Sequence, residues 1–348
     1  MPQICVFEDQ GHKQLMPLTC LTPIFALRLG LGTLLDAWRL FWPEAEFSLY
    51  SRPSLRALCR ELYPRFTVNK FNTSIPTVLV NARLLPHPDL AQQLNELPLN
   101  KVWVHNDTVV AAHAQGGTLE IWSEALSQDR PLTQTLPQLP EGTVLQQVDV
   151  PMLRHCFELL PLSQSAITMQ ARSSQRLGEY HSPLYPNVQV LRPEEVYIGS
   201  HCVIDPNVVI DARQGPIWIA DHCHIEAMAW IEGPTALAEH VFVKSHAQIR
   251  RGCSIGPHCK IGGEISNTIM QSYSNKAHEG FLGDSYLGSW VNLGAGTCTS
   301  NMKNNYGTVK TSFNAAPVDS GLQFLGSIIG DYCKTGIGTL LNAGSQFG

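Results

Sequence analysis

From about residue 198 the chain repeats an aliphatic residue every six positions. The column runs Ile198, Ile204 and Ile210, then Ile219, Ile225, Ile231, Leu237, Val243, Ile249, Ile255 and Ile261. The eight positions from 219 to 261 keep the spacing without a miss. A period of six is neither the 3.6 of a helix nor the 2.0 of a flat strand. It is the pattern of a parallel β-helix, in which each step is one short strand and a turn, and three steps close a coil of eighteen residues. The step of nine from Ile210 to Ile219 implies a three-residue loop, and the step of eight from Ile261 to Ile269 a two-residue bulge. Beyond it the column is expected at Phe281, Leu287 and Leu293, with Asn275 in an inward slot, and again at Ile329 and Leu341. The fourth residue after each aliphatic position is small: Cys202, Cys223, Ala229, Thr235, Ala247, Cys253, Cys259, Thr297 and Cys333.

The same period places histidines. His222, His240 and His258 lie eighteen apart, one coil each. Allowing for the loop and the bulge, His201 and His278 join them, so five imidazoles are expected along one edge, about 4.8 Å apart. Three readings stay open: a column of stacked rings at a turn, a metal site shared between subunits (although close paired histidines are lacking), or a catalytic last rung. The third draws on Asn275. A polar residue in the inward column costs stability unless it is hydrogen-bonded, and local rule-breaking of that kind is expected at functional sites.

Before the repeat the pattern changes. "QICVFED" and "TVLVNAR" read as buried strands, and Leu27, Leu31, Leu34, Leu35 and Trp38 mark one face of a helix. "SLRALCREL" and "PDLAQQLNEL" read as helices, and "KVWVHNDTVVAAHA" as a hairpin turning at Asn106-Asp107. An α/β domain is expected over residues 1–140. The turn-rich "TQTLPQLPEGT" and the helical "VPMLRHCFELLPLSQSAITMQA" form a linker and connector over 141–185, and the β-helix fills 186–348.

Composition narrows the partners. The net charge of -5 comes with no Lys/Arg run, so nothing points to nucleic acid or to an anionic membrane. No stretch approaches the eighteen or more apolar residues of a membrane span. "MPQICVFEDQ" lacks the basic and apolar regions of a signal peptide, so a cytoplasmic protein is expected. Ten cysteines form no CxxC pair and no zinc-like spacing. In a reducing compartment they are expected as free thiols. Five of them fall on the small positions of the repeat, where a thiol is an apolar filler.

The segments "GGEISN", "YSNKAHEGFLGDS", "CTSNMKNNYGTVK" and "LQFLGSIIGDYCKTGI" carry a resemblance. They are similar to the acetyltransferase half of the bacterial bifunctional N-acetylglucosamine-1-phosphate uridylyltransferase/glucosamine-1-phosphate N-acetyltransferase, the GlmU-like family. The likeness is strong from about residue 190 onward and covers residues 1–120 only in outline. It implies a left-handed coil, acetyl-CoA as donor and a homotrimer with sites between neighbouring β-helices. It also implies roles for residues. His278 matches the general base, and an imidazole suits proton removal from an attacking sugar amine near neutral pH. The Ala295 N–H in "GAGT" matches the oxyanion donor. Arg250 in "IRRG" matches a phosphate contact. Asn292 and Glu264 match substrate contacts, and Asn301 an acetyl-CoA contact. The family's substrate tyrosine is Phe281 here, and its lysine two residues after the acidic position is Ser266; Lys303 is a candidate replacement for that charge. The chain ends at "NAGSQFG", inside a repeat, so either a truncated coenzyme pocket or a cap from another segment is expected.

"LMPLTCLTPIFALRLG" is similar to the opening of the family's nucleotidyltransferase domain. A working domain of that type has a Gly-rich phosphate loop; here "FEDQGHKQ" carries only Gly11. Its magnesium aspartate would follow the strand that ends "VLV", where this chain has Asn81, Ala82 and Arg83. Arg28 and Lys13 are the cations near enough in sequence to meet a phosphate. The N-terminal domain is therefore expected to be degenerate, with Mg2+ needed only if it is active. The first expectation is N-acetylation of an amino-sugar 1-phosphate by the β-helix. The alternatives are nucleotidyl transfer from UTP or dTTP to a sugar 1-phosphate, and a non-catalytic sugar-nucleotide-binding or scaffold protein.

Overall fold

A computed structural model describes residues 3–127, 139, 142–313 and 316–348. The chain forms two compact units. One contains Leu21–Leu27, Leu34–Arg154 and the residues up to Leu15; the other contains Met16–Cys20, Arg28–Thr33 and His155–Gly348. The two units cut across the sequence, so no single linear boundary separates them.

The first unit is built on a seven-stranded mixed sheet. Its spatial order is Thr67–Val68, Phe47–Tyr50, Gln3–Phe7, Thr77–Asn81, Thr108–Ala114, Lys101–His105 and Val144–Gln147. The expected strands "QICVF" and "TVLVN" are adjacent and parallel, and each is buried along its whole length. Such continuously apolar strands belong in the middle of a covered sheet. The hairpin turns where expected, with Asn106 and Asp107 in the left-handed region at φ 43° and 61°. Two such residues make the turn whose twist suits paired strands. The helices Arg56–Leu62 and Pro88–Asn95 also form where the pattern places them.

One helix is shorter than expected. It spans Leu34–Phe41, and Leu27 and Leu31 precede it. Gly30, at φ 83°, reverses the chain so that Arg28–Leu29 pairs antiparallel with Gly32–Thr33. A helix cannot pass through that turn, so the apolar spacing from Leu27 onward is coincidental. Most of the expected linker "TQTLPQLPEGT" lies outside the described residues. The helical connector follows as Leu159–Ser173.

The second unit is the expected left-handed parallel β-helix. Its first face stacks eight strands from Val196–Ile198 to Gln346–Phe347, its second five from Val203–Ile204 to Asn275–Lys276, and its third six from Gln189–Leu191 to Phe281–Gly283. Every residue of the column from Ile198 to Ile261 points inward and is at most 1 % exposed. The small positions work as fillers: Cys202, Cys223, Cys253 and Cys259 are buried, and Cys333 is half-buried. Burial pushes the Cys253 and Cys259 thiols up to about 12, which keeps them protonated and inert.

The coil changes size after Ile261, opposite to the expected bulge. Ile255 pairs with Met270 and Ile261 with Lys276, fifteen residues on instead of eighteen. The tight turn at Gly262-Gly263 removes residues from the corner. A Cβ on Gly262 would stand 2.5 Å from the Ala277 carbonyl oxygen, and one on Gly263 2.8 Å from that of Gly280. Only glycine admits the next coil that closely. Three corrections follow. The inward residue is Met270 and not Ile269, then Lys276 and not Asn275, then Leu282 and not Phe281; Leu287 and Leu293 keep their expected slots.

The ladder is corrected too. His201, His222, His240 and His258 stack with centroids 4.6–4.9 Å apart. The next rung is Tyr273 at 4.7 Å and then Trp290 at 4.6 Å; His278 is not part of the stack. Tyr332 closes it at 6.4 Å from Trp290. Each ring stands on a residue at φ between 59° and 61°. These are left-handed corners, which histidine tolerates better than most residues. Parallel rings set their nitrogens side by side, and no metal-binding group of three acidic, histidine or cysteine residues exists among the described residues.

A longer departure sits at one corner. Thr299 pairs across to Leu341, and Leu287 to Ile329. The intervening chain leaves the coil and forms a small hairpin, Lys310–Thr311 against Val318–Asp319. No helix among the described residues is long and apolar enough to cross a membrane.

These corners set an expectation. His240→Val places a β-branched residue in the left-handed region and should cost about 1–2 kcal/mol beyond the lost stacking. His240→Asn should lose only the stacking, about 0.5–1.5 kcal/mol. Thermal melts of the two variants separate corner strain from ring stacking.

Candidate functional site

The second unit has a concave surface where a coil step of fifteen residues, from Lys260 to Asn275, is followed by one of seventeen, from Asn275 to Asn292. A cavity of about 290 Å³ is lined by Lys260, Asn275, Ala277, His278, Asn292, Leu293, Gly294, Ala295 and Ile337. Its floor is the outward column of the second face. There Lys260 pairs with Asn275, Asn275 bridges to Asn292 and Asn292 to Lys334. One wall is the turn that carries His278, and the same turn one coil on carries Ala295.

The His278 turn is held on three sides. Gly262 and Gly263 lie beneath it. Above it, a Cβ on Gly280 would be 2.4 Å from the Thr297 carbonyl oxygen and 3.2 Å from Cys298 Sγ. Inside it, Lys276 is 1 % exposed, and its Nζ donates to the carbonyl oxygens of His278 at 2.6 Å and Glu279 at 3.1 Å. The His278 ring is exposed and makes no hydrogen bond to a side chain among the described residues. The Ala295 N–H likewise has no acceptor there, while its carbonyl accepts from Gly338 N at 2.7 Å. The cavity thus joins an imidazole, an open backbone donor, two side-chain amides and the ammonium of Lys260.

Of the six residues singled out in sequence, His278, Asn292 and Ala295 meet here. Arg250 and Glu264 do not line this cavity. They lie on the outer side of the third face, where Trp230, Gln248, Glu264 and Phe281 form one column. The Arg250 guanidinium lies 4.6 Å over the Trp230 ring, donates to Gln248 Oε1 at 2.9 Å and approaches Glu264 at 3.6 Å. Asn301 donates to Asp284 Oδ2 at 2.7 Å, and Asn267 donates to the other oxygen at 2.8 Å. Lys260 was not anticipated as a cavity residue, and Asn275, expected near the site as an inward polar residue, lines the cavity from the outward column. A lysine just before a column position reads as an ordinary solvated side chain.

Arg28 is not a surface cation. It is 4 % exposed in the second unit, and its Nε donates to Ser254 Oγ at 2.8 Å. The Tyr286 hydroxyl accepts from the Arg28 N–H at 2.8 Å and donates to its carbonyl at 3.1 Å. Lys13 donates to Gln10 at 2.6 Å.

The first unit has its own cavity of about 380 Å³, lined among others by Asp9, Gln10, Gly11, Gln14, Arg83, His105, Thr108 and Arg154. It lies just past the carboxyl ends of the parallel strands Gln3–Phe7 and Thr77–Asn81, where open α/β sheets commonly bind ligands. Arg83 stands where the magnesium aspartate was expected, and it forms an ion pair with Asp9 in which both side chains are 9 % exposed. Arg83 Nε donates to Asp9 Oδ1 at 2.8 Å, Gly11 N to the same oxygen at 3.0 Å, and Asn81 Nδ2 to Oδ2 at 2.9 Å. A Cβ on Gly11 would meet the Arg83 guanidinium at 2.1 Å. Both Asp9 oxygens are therefore engaged by internal donors, which leaves the exposed Asp107 as the cavity's other carboxylate; a single free carboxylate with no group of three acidic, histidine or cysteine residues among the described residues suits Mg2+ poorly.

Residues 4–175 match the family described as sugar nucleotidyl transferase. The chain is 27 % identical over 241 residues to the bifunctional protein GlmU of Synechococcus sp., covering 64 % of this chain and 35 % of that protein. It is 34 % identical over 120 residues to GlmU of Pelobacter propionicus, covering 34 % of this chain and 25 % of that protein. With GlmU of Synechococcus elongatus it shares 32 % over 148 residues, 42 % of this chain and 28 % of that protein. The chain thus spans about a third or less of the length of these relatives.

Two stability measurements test the geometry. Arg83→Met should cost about 3–5 kcal/mol, because it leaves a buried carboxylate without its cation. Adding Asp9→Asn should recover part of that loss in a double-mutant cycle. Burial holds the Lys276 ammonium below the ordinary 10.5. The folded chain then binds fewer protons than the unfolded one between the lowered value and 10.5, so stability rises with pH through that window. Denaturant titrations should show this rise in the parent and its absence in Lys276→Met.

Proposed function

This chain belongs to the GlmU-like family, and from that membership we propose that its β-helix is an N-acetyltransferase acting on an amino-sugar phosphate. The observation that carries the reading is the cavity shared by His278, Ala295, Asn292 and Lys260. Acetyl-CoA supplies an activated acetyl thioester when bound. His278 takes the proton that the sugar amine loses as its nitrogen attacks the thioester carbonyl. The Ala295 N–H donates to the oxyanion of the tetrahedral intermediate. When that intermediate collapses, the C–S bond breaks, and the proton held by His278 passes to the departing thiolate. Lys260 faces the substrate phosphate, and Asn275 and Asn292 hold sugar hydroxyls.

Arg250 and Glu264 are retained as substrate contacts and Asn301 as a donor contact within a homotrimer. In that assembly the third face of one copy lines the cavity of the next. Ile337, which lines the cavity at 87 % exposure, and Leu340 at 80 % supply an apolar edge for such packing. We place the protein in the cytoplasm.

A second reading is nucleotidyl transfer by the first unit, favoured by the family match over residues 4–175 and by the cavity at the strand ends. The engagement of both Asp9 oxygens weighs against a metal-assisted step there, and none is derived.

His278→Ala should lower acetyl transfer from acetyl-CoA to glucosamine 1-phosphate by about 10²- to 10⁴-fold, read as release of free thiol. Unchanged turnover in the variant would remove His278 from the mechanism. Magnesium-dependent pyrophosphate release from UTP and a sugar 1-phosphate would favour the second reading.

A further inference from the structure

Lys276 occupies a position that the β-helix fills with Ile261 in the coil below. An amine among aliphatic side chains is costly unless hydrogen bonds replace those it made with water. Here they do, and both acceptors lie in one turn. Nζ donates at 2.6 Å to the His278 carbonyl and at 3.1 Å to the Glu279 carbonyl. Burial lowers the Lys276 pKa from its ordinary value, while Cys298 and Glu279 oppose the shift.

The His278 ring makes no hydrogen bond to a side chain among the described residues, so none fixes its direction. What can fix it is the backbone of residues 277–280, whose carbonyls at 278 and 279 are tied from within. We propose that Lys276 is a positioning residue: its amine anchors the His278 turn from inside the β-helix and so aims the imidazole at the cavity. This rests on the reading of His278 as general base. The lysine does not touch substrate and takes no proton from it. Its residue type follows from reach, because a four-carbon stem carries a donor from the strand, through the interior, to the turn two residues on. A methionine would fill the same volume without donating.

The test compares Lys276→Met, Ile261→Val and His278→Ala with the parent. Lys276→Met should keep its melting temperature within a few degrees, lower kcat about 10- to 100-fold and leave KM for acetyl-CoA within about twofold. Backbone NMR order parameters at residues 277–280 should fall from about 0.85 to below about 0.6, while the other corners stay rigid. Ile261→Val, a plain packing defect in the same column, should lower the melting temperature and leave kcat alone. Parental kcat with unchanged order parameters in Lys276→Met would overturn the proposal. So would a kcat that falls only as the melting temperature falls. If His278→Ala is as active as the parent, the reading of the base fails. The order parameters at 277–280 then decide the anchoring by themselves: lowered values sustain it and unchanged values end it.

Discussion

Each coil of the β-helix must lie on the one below with its inward residue in register, because the backbone hydrogen bonds of one coil end on the next. That constraint governs the second unit. It fixes which residues are buried, which corners adopt the left-handed conformation and which outward columns form. It also turns a local change of length into a displacement of everything that follows. The turn at Gly262-Gly263 is such a change. The coil above it is smaller, and the concavity that holds His278 sits where the small coil meets the larger one. The candidate site is in this sense a packing mismatch lined with polar groups.

The first unit answers to a different constraint. Parallel strands bring together residues far apart in sequence at one end of a sheet, and Asp9 and Arg83 meet there although 74 positions separate them. An arginine and an aspartate that satisfy each other leave a cavity that is polar but nearly neutral. Its chemistry differs from that of a metal–phosphate site.

Much of this was legible in the sequence, and the misses share a cause. Eight aliphatic residues in strict phase leave no alternative to stacked coils, and Asn106-Asp107 between apolar strands leaves little alternative to a tight hairpin. Phase was lost where it was carried by glycine. Gly262-Gly263 shortens a corner without leaving a side chain to mark it, so the column beyond it was placed on Asn275 and Phe281 instead of Lys276 and Leu282. Gly30 likewise ended a helical pattern that Leu27 and Leu31 continued only by spacing. An inward lysine was invisible because lysine reads as solvated wherever it stands. His278 is recognisable by resemblance alone; the bulge that would bring it into the imidazole stack does not exist, because the corner shortens instead of lengthening. The Asp9–Arg83 pair had no periodic signal at all.

The excursion between Thr299 and Ile329 shows where this architecture tolerates novelty. Pairing resumes beyond it as if the chain had never left, because strands on the faces need to know their neighbours above and below and nothing about the path between them. Corners can therefore be lengthened freely, whereas faces tolerate no slippage. New recognition loops can be grafted at the vertices of such a prism while its interior stays as it was, which lets one scaffold change its clientele without renegotiating its core.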